Sequence, residues 1–181
     1  MLAFVTSVSF AHIFAQGTAG PVVVHAPVVV TPDGNLQFHL ARRNRAVAIL
    51  DGITAVASLA GPNAYISPDW YGTEDQVPTW NYLAVEATGP VRRLTDDELV
   101  AQVDALSAEH EARLLPKPPW TQAKMSEGRF AAMAKAIIGF ELTVLSLTGT
   151  RKLGQNKSEA ERQGAIDALG IDPVAALMAG S

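Results

Sequence analysis

Hydrophobic and polar residues alternate in the first half of the chain, with the period of two that is typical of β-strands. In LQFHLA, three large apolar residues share one face, while Gln37 and His39 share the other. The apolar run PVVVHAPVVV precedes this segment, and TPDG between them offers Pro32 and Gly34 for a tight turn. Pro27 interrupts the first run, which places it at a sheet edge or a bulge. The pattern predicts a β-hairpin with one apolar face.

Several other stretches of the first half have the composition of strands. MLAFVTSVSFAHIFAQG is interpreted as a buried first strand, ITAVASLAG as a fully buried strand and NAYIS as a short one. Asn44 suits the N-cap of a short helix, RAVAILDG, which would end at Gly52. In the strand VPTWNYLAVEATG, Trp80 and Tyr82 point to one face and Asn81 to the other.

The second half of the chain is mainly helical. Thr95 and Glu98 form a capping box before a helix whose apolar stripe repeats at helical spacing. That stripe consists of Leu99, Val103, Leu106, His110 and Leu114. A second helix is predicted at roughly 125–136, followed by a strand at FELTVLSL. Ser158 and Glu161 form another capping box, and DPVAALMA a last short helix.

This order of elements predicts an α+β fold with a mostly antiparallel sheet or barrel. We expect a single domain over residues 1–181. Its strands would lie at roughly 3–93 and 138–148, and its helices at roughly 95–136 and 158–179.

Composition narrows the possible classes of protein. The 181 residues are 48% hydrophobic and 18% charged, as in an ordinary globular domain, and no apolar run reaches the ~20 residues of a membrane span. The chain has no cysteine, which excludes disulfides and thiolate metal sites and fits a reducing, cytoplasmic compartment. The net charge is −4 and the basic clusters are short, so direct nucleic-acid binding is not expected.

Familiar catalytic motifs are missing from the sequence. It contains no G-x-G-x-x-G, no phosphate-binding P-loop, no H-E-x-x-H and no nucleophile elbow. Glu109-His110-Glu111 has metal-ligating residue types, but His110 belongs to the apolar stripe, which favours a packing role. The sequence predicts no metal site, and the catalytic residues of any enzyme activity stay unknown.

Three polar segments are candidate binding sites. In HLARRNR, a strand runs into a capped helix, which can bind phosphate; the alternative is a solvated basic turn. TWNY can hold a planar heterocycle by stacking and edge hydrogen bonds; the alternative is aromatic packing. In RKLGQN, Lys152 and Gln155 are close enough to converge on one ligand; the alternative is a polar loop.

Taken in order, HLARRN, GPNAYISPDWY, VPTWNYLAVEATG, AIIGFELTVLSLTGTRKLGQN and SEAERQGAIDALG resemble the PaiB-type FMN-binding negative transcriptional regulators. The resemblance covers roughly residues 20–170. It implies a split β-barrel of the flavin-reductase and pyridoxamine-phosphate-oxidase kind, with the helices concentrated in the second half. It also implies a homodimer with FMN in a groove at the dimer interface.

The resemblance implies cofactor contacts in all three segments. The positions for the phosphate are His39, Asn44 and Arg45, with Arg42 nearby; those for the flavin ring are Thr79, Trp80, Asn81 and Tyr82; and those in the family's hallmark motif are Lys152, Gln155 and Asn156. The chain departs from the family pattern where Arg45 stands in place of Pro, where Gly154 stands in place of Ser, and where MLAFVTSVSF replaces an N-terminal helix.

Three functions follow from these observations as hypotheses. The first is an FMN-binding, dimeric regulator that has no DNA-binding motif of its own. The second is a flavin-dependent oxidoreductase, because flavin chemistry belongs largely to the cofactor. The third is a dimeric scaffold that keeps the fold without the cofactor.

Overall fold

The computed structural model describes residues 1–180. Its strands are β1 (Phe10–Gly17), β2 (Gly20–Pro27), β3 (Val29–Val30), β4 (Leu36–Ala41), β5 (Thr54–Ile66), β6 (Thr79–Arg93), β7 (Ile137–Leu142) and β8 (Ser146–Lys152). Its α-helices are α1 (Leu2–Val8), α2 (Val47–Leu50), α3 (Asp96–Ala112), α4 (Arg129–Ala134), α5 (Glu159–Leu169) and α6 (Pro173–Ala179). Short 3-10 helices lie at Pro68–Tyr71 and Gln122–Lys124. The longer helices therefore fall in the second half, as predicted.

The chain divides into two compact units. Unit 1 consists of Met1–Leu59 with Glu86–Thr148, and unit 2 of Ala60–Val85 with the chain from Gly149 onward. The strand order is β2-β1-β5-β6-β7-β4-β3, with β8 paired to β6. Strands β5 and β6 each contribute residues to both units. Whether the chain is one folding domain stays a prediction.

The predicted hairpin of unit 1 is present only in part, because the run PVVVHAPVVV divides into β2, which pairs antiparallel with β1, and β3, which pairs with β4. Strands β3 and β4 pair antiparallel, with Val30 opposite Leu36. Strand β4 then pairs antiparallel with β7, and Phe38 lies opposite Phe140. The two rings stack with their centroids 5.6 Å apart, and both are fully buried. The alternation of LQFHLA therefore places its apolar face in the core of unit 1, and that prediction is confirmed.

The N-terminal segment begins as a helix, where the sequence pattern predicted only a strand. Helix α1 ends at Val8, and Ser9, which caps it, has a left-handed backbone with φ of 51°. Arg113, at the end of α3, donates hydrogen bonds to the Thr6 carbonyl at 2.6 Å and to the Ser9 hydroxyl at 2.7 Å. Because helix ends leave carbonyl groups without partners, a distant arginine stabilises a helix that has no strong local signal.

Two further strand predictions are wrong in detail. ITAVASLAG and NAYIS form one 13-residue strand, β5, whose burial alternates over its first half, so the segment is not fully buried. FELTVLSL is divided between β7 and β8. The division follows from a close backbone contact, since a Cβ at Gly89 would lie 1.7 Å from the Thr143 carbonyl oxygen. The chain crosses β6 at Gly89, because a glycine has no Cβ and leaves room for the backbone there.

Both predicted capping boxes are confirmed. Thr95 accepts from the backbone N–H of Glu98 at 3.2 Å, and Glu98 accepts from the backbone N–H of Thr95 at 2.8 Å. Ser158 and Glu161 make the same reciprocal pair at the start of α5. The second predicted helix of residues 125–136 is shorter, because α4 begins only after Gly128, whose φ is 71°. The predicted helix after Asp172 is present as α6.

Unit 2 has its own apolar core, built from the inward face of β5, the turn before α5, and the two C-terminal helices. Its fully or nearly buried members are Ala64, Ile66, Tyr71, Leu153, Ala165, Val174 and Met178. One polar side chain of β6 joins this core, and it is the starting point of the candidate site.

Candidate functional site

Asn81 is a buried amide that is only half satisfied. Strand β6 turns it inward, and 1% of the residue is exposed. Its Nδ2 donates to the Met178 sulfur at 3.3 Å. Its Oδ1 has no hydrogen-bond partner among residues 1–180. Since nearly all buried polar atoms in folded proteins are paired, this acceptor has room for a donor from outside the chain, either water or a ligand.

A cavity of about 190 Å³ adjoins this amide within unit 2. It is lined by Tyr71, Val77, Thr79, Asn81, Lys152, Gly154, Asn156 and Lys157. The lining includes two ammonium groups, a phenol and two amides, which is a dense set of polar groups for so small a space. Two of the three candidate segments, TWNY and RKLGQN, therefore meet at one cavity.

The two lysines of the cavity are held by neighbouring oxygens. Lys152 Nζ donates to the Thr79 hydroxyl at 2.5 Å. Lys157 Nζ donates to the Gln76 side-chain oxygen and lies 4.6 Å from the centroid of the Tyr71 ring. Each ammonium has three N–H donors, so these contacts leave donors for a bound molecule. The cavity thus combines one unpartnered acceptor with cationic donors.

Tyr71 supplies a neutral phenol at the cavity. Burial raises the pKa of its hydroxyl above the ordinary value of 10.0, and the negative charge of Glu161 raises it further. The hydroxyl therefore stays protonated at neutral pH and can donate a hydrogen bond. Tyr71 is not among the residues that the sequence predicted for the site, although it ends the segment GPNAYISPDWY.

The turn that carries the hallmark motif is shaped by Gln155. Its Oε1 accepts from the Leu153 backbone N–H at 2.8 Å, and its Nε2 donates to the Arg151 carbonyl at 2.8 Å. Gly154, between these residues, has a φ of 76°. Both polar atoms of the Gln155 side chain are therefore hydrogen-bonded to the backbone of the turn, while Lys152 and Asn156 line the cavity. Ligand contact by these residues stays a prediction.

Trp80 and Tyr82 lie on the opposite face of β6 from Asn81, as the alternation predicted. Trp80 is 53% exposed, and its ring meets that of Tyr65 edge to face at 6.2 Å. A shallow cavity of about 260 Å³ lies beside them on this face, next to Asn63. These aromatics are thus separated from the polar cavity by the strand itself.

The first candidate segment belongs to unit 1, where three of its side chains have partners within that unit. His39 Nδ1 lies 3.0 Å from Gln102 Oε1, Arg42 Nε donates to the Lys135 carbonyl at 2.6 Å, and Asn44 Oδ1 accepts from the Ala46 backbone at 2.9 Å. Arg45 is exposed. Phosphate binding by this segment stays a prediction.

The chain is similar in sequence to a known family and to several known proteins. The family described as "Putative FMN-binding domain" matches residues 1–146. The chain belongs to this FMN-binding family. The Protease synthase and sporulation protein PAI 2 of Bacillus subtilis (strain 168) is 29% identical over 170 residues, which cover 92% of this chain and 81% of the relative. An uncharacterised protein of Emericella nidulans is also 29% identical, over 87% of this chain and 77% of its own length. The predicted resemblance and its cofactor, FMN, are confirmed at the level of the family.

Solved structures show the same fold at low sequence identity. The FAD and heme binding protein of Mycobacterium smegmatis superimposes with a TM-score of 0.64 and 14% identity, covering 91% of this chain and 75% of that one. A flavocytochrome of Azotobacter vinelandii gives a TM-score of 0.60 at 15% identity, covering 89% and 70%. The predicted class, an α+β split β-barrel with mostly antiparallel strands, is confirmed. Among the helices of residues 1–180, none is long and apolar enough to cross a membrane.

Proposed function

We propose that this family member binds FMN at the unit 2 cavity, with the hydrogen-bonding edge of the flavin ring against Asn81. The observation that carries the proposal is the buried Oδ1 of Asn81, which lines the cavity and has no partner among the described residues. A buried acceptor without a partner costs about 1–3 kcal/mol. A ligand that donates to this oxygen recovers that free energy on binding.

The polar groups of the cavity fit the flavin edge. That edge presents an imide N–H between two carbonyl oxygens, and the N–H is the donor that Asn81 Oδ1 lacks. The ammonium groups of Lys152 and Lys157, and the neutral phenol of Tyr71, are donors suited to the carbonyl oxygens. Positive charge beside the ring also favours its electron-rich, reduced form. When bound, FMN supplies the redox chemistry, and these residues bind and orient it.

The size of the cavity limits what it encloses. Its volume of about 190 Å³ is below the roughly 300–1,000 Å³ of pockets that bury a drug-sized ligand. It therefore suits one end of the cofactor, and the ribityl chain and phosphate lie outside it. Phosphate binding by Arg45 of unit 1, which the family resemblance implies, stays a separate prediction.

A titration with FMN, followed by flavin fluorescence, tests the site. Asn81→Leu removes the unpartnered oxygen while keeping a side chain of similar size, and we expect it to raise the Kd for FMN about tenfold or more. Asn63→Ala, on the exposed face of unit 2, is the matched control and should bind normally. Arg45→Ala should cost roughly 1.5–3 kcal/mol of binding if Arg45 holds the phosphate.

Three results of this titration would count against the proposal. Unchanged affinity in Asn81→Leu would place the ring elsewhere. Unchanged affinity in Arg45→Ala would place the phosphate elsewhere. Failure of the wild-type protein to bind FMN at all would favour a scaffold that has lost the cofactor.

The role proposed for the FMN-bound protein is that of a dimeric regulator of the PaiB type, acting without a DNA-binding motif of its own. Similarity to the Bacillus subtilis relative supports this role, and the net charge of −4 disfavours direct operator binding. The exposed Tyr65–Trp80 pair is a surface that a second copy could cover. Sedimentation should give a dimer that Trp80→Ala weakens. A monomer, or tight sequence-specific DNA binding by the pure protein, would contradict the role.

A further inference from the structure

Two histidines face each other on the exposed side of the β1–β2 hairpin. The antiparallel register places His12 directly opposite His25, so both side chains lie on the same face of the sheet. Both residues are exposed. Their ring centroids are 4.8 Å apart, with an angle of 76° between the ring planes. Neither histidine belongs to the flavin site, and the fold leaves both imidazoles accessible.

The spacing of the two rings suits chelation of one metal ion. Zinc–imidazole bonds are about 2.0–2.1 Å long, and two imidazoles at a tetrahedral angle around one ion have ring centroids roughly 5 Å apart. The observed separation of 4.8 Å is close to that value. Since the strands fix the two Cα positions, little backbone entropy is lost on binding.

The surroundings of the pair restrict how the rings can move. The ring of Phe10 meets that of His12 edge to face at 6.5 Å. Phe10 and Phe14 lie on either side of His12 along β1, and Val23 is opposite Phe14. On the far side of His12, Ser58 of β5 is its register partner and offers a hydroxyl on the same face. The two imidazoles and the Ser58 hydroxyl therefore form a polar row across three strands, and apolar side chains lie on either side of that row.

We propose that His12 and His25 chelate one divalent late transition-metal ion, of the class Zn²⁺, Ni²⁺ or Cu²⁺, on the open face of the hairpin. Neutral imidazole is a preferred ligand of these ions. Within residues 1–180, no group of three or more His, Asp or Glu residues is arranged to hold a metal. The site is therefore a two-histidine chelate whose other positions take water or a ligand from solution.

The two histidines are independent of the proposed flavin site. Both lie in unit 1, and neither is among the residues proposed to contact FMN. Loss of FMN binding would leave metal binding untouched, and loss of metal binding would leave the flavin site untouched.

Calorimetric titration of the full, untagged, EDTA-treated chain with zinc chloride tests the site. We expect one Zn²⁺ per chain for the wild type. His12→Gln and His25→Gln should each raise the Kd more than about tenfold. Gln16→Ala changes a non-ligating residue on the same face of β1 and should leave the Kd unchanged. Melting curves in EDTA should show all three variants folded, because the substituted side chains are exposed.

A measurement on the unaltered protein guards against a folding artefact. In NMR spectra of the imidazole groups, Zn²⁺ should shift the signals of His12 and His25 while those of His39 and His110 stay in place. The proposal is overturned if the wild type shows no saturable binding, if both glutamine variants keep wild-type affinity, or if the ion shifts the other two histidines instead.

Discussion

Units 1 and 2 each bury one amide side chain, and the two amides differ in what surrounds them. Gln102 in unit 1 and Asn81 in unit 2 are each 1% exposed, and each leaves one polar atom without a partner among residues 1–180. Gln102 Oε1 pairs with His39, which gives this amide a structural role. Asn81 pairs only with a thioether, a weak acceptor, and its carbonyl lines a cavity with two lysines. An unpartnered atom alone therefore does not indicate a ligand; the adjoining cavity and its charges do.

The largest expected effect is that the change in the free energy of unfolding has opposite signs in two matched variants, one at each amide. Asn81→Leu without FMN should raise the free energy of unfolding by about 1 kcal/mol, because an unsatisfied buried acceptor disappears. Gln102→Leu should lower it by about 1 kcal/mol or more, because His39 loses its partner. Urea denaturation of both variants measures the difference. If both changes stabilise the protein, or both destabilise it, the distinction between the two amides fails.

A smaller effect is expected from Gly154→Ser, which introduces the residue that the family tends to have. Gly154 has a φ of 76°, a backbone conformation that costs an L-residue about 1 kcal/mol or more. A Cβ there would lie 3.7 Å from Asn81 Nδ2, which is ordinary contact, so the cost comes from the backbone. Thermal unfolding should show this loss, whereas Gly180→Ser at the exposed end of α6 should be nearly neutral. A stabilised Gly154→Ser variant would disprove the argument from strain.

The smallest expected effect is a difference between the two capping boxes in how much stability each loses when its glutamate is protonated in acid. The Arg92 side chain, followed by the Thr95 backbone N–H, lowers the pKa of Glu98 from 4.5 to about 2. The Ser158 backbone and the Thr73 hydroxyl also lower the pKa of Glu161. Because the folded-state pKa values are depressed, these carboxylates stabilise the fold above about pH 4.5 and cease to do so as pH falls through their folded-state pKa, which is about 2 for Glu98.

Removal of each carboxylate checks that difference. Glu98→Gln should flatten the fall in stability between pH 4.5 and 2 more than Glu161→Gln does, because the partner of Glu98 is a full positive charge. Both effects should be modest, since both residues are only partly buried and water screens their charges. Unfolding curves collected over this pH range supply the comparison. Equal acid profiles in the two variants would show that the Arg92 contact adds nothing to the capping box.

Local signals in the sequence predicted the parts of the fold that are decided locally. The capping boxes at Thr95 and Ser158, and the alternation around Phe38, depend on residues within one turn or one strand. Helix α1 was missed because the group that caps its end, Arg113, lies more than 100 residues away. The division of β7 from β8 was missed for a similar reason, since it depends on space left by Gly89.

The candidate site could likewise be predicted only where it depends on residues close together in the sequence. Alternation along β6 predicted that Asn81 points away from Trp80 and Tyr82. Nothing local could show that its amide meets Met178, 97 positions further along the chain, or that Lys157 joins the lining. A polar residue at a core-facing strand position was the available signal. This signal identified Asn81 as a candidate, but the residues around its side chain are evident only in the folded chain.

The sulfur beside Asn81 has a consequence for the range of molecules that the cavity can accept. A thioether accepts hydrogen bonds only weakly and has no hydrogen to donate. A half-turn of the side-chain amide would therefore place Oδ1 against the sulfur, where it would be buried with no donor to pair with. The sulfur thus favours the orientation in which Oδ1 faces the cavity, so the cavity prefers a ring nitrogen that carries a proton over one that has lost it. A hydroxyl in place of the sulfur, which donates as well as accepts, would allow both orientations of the amide and remove this preference.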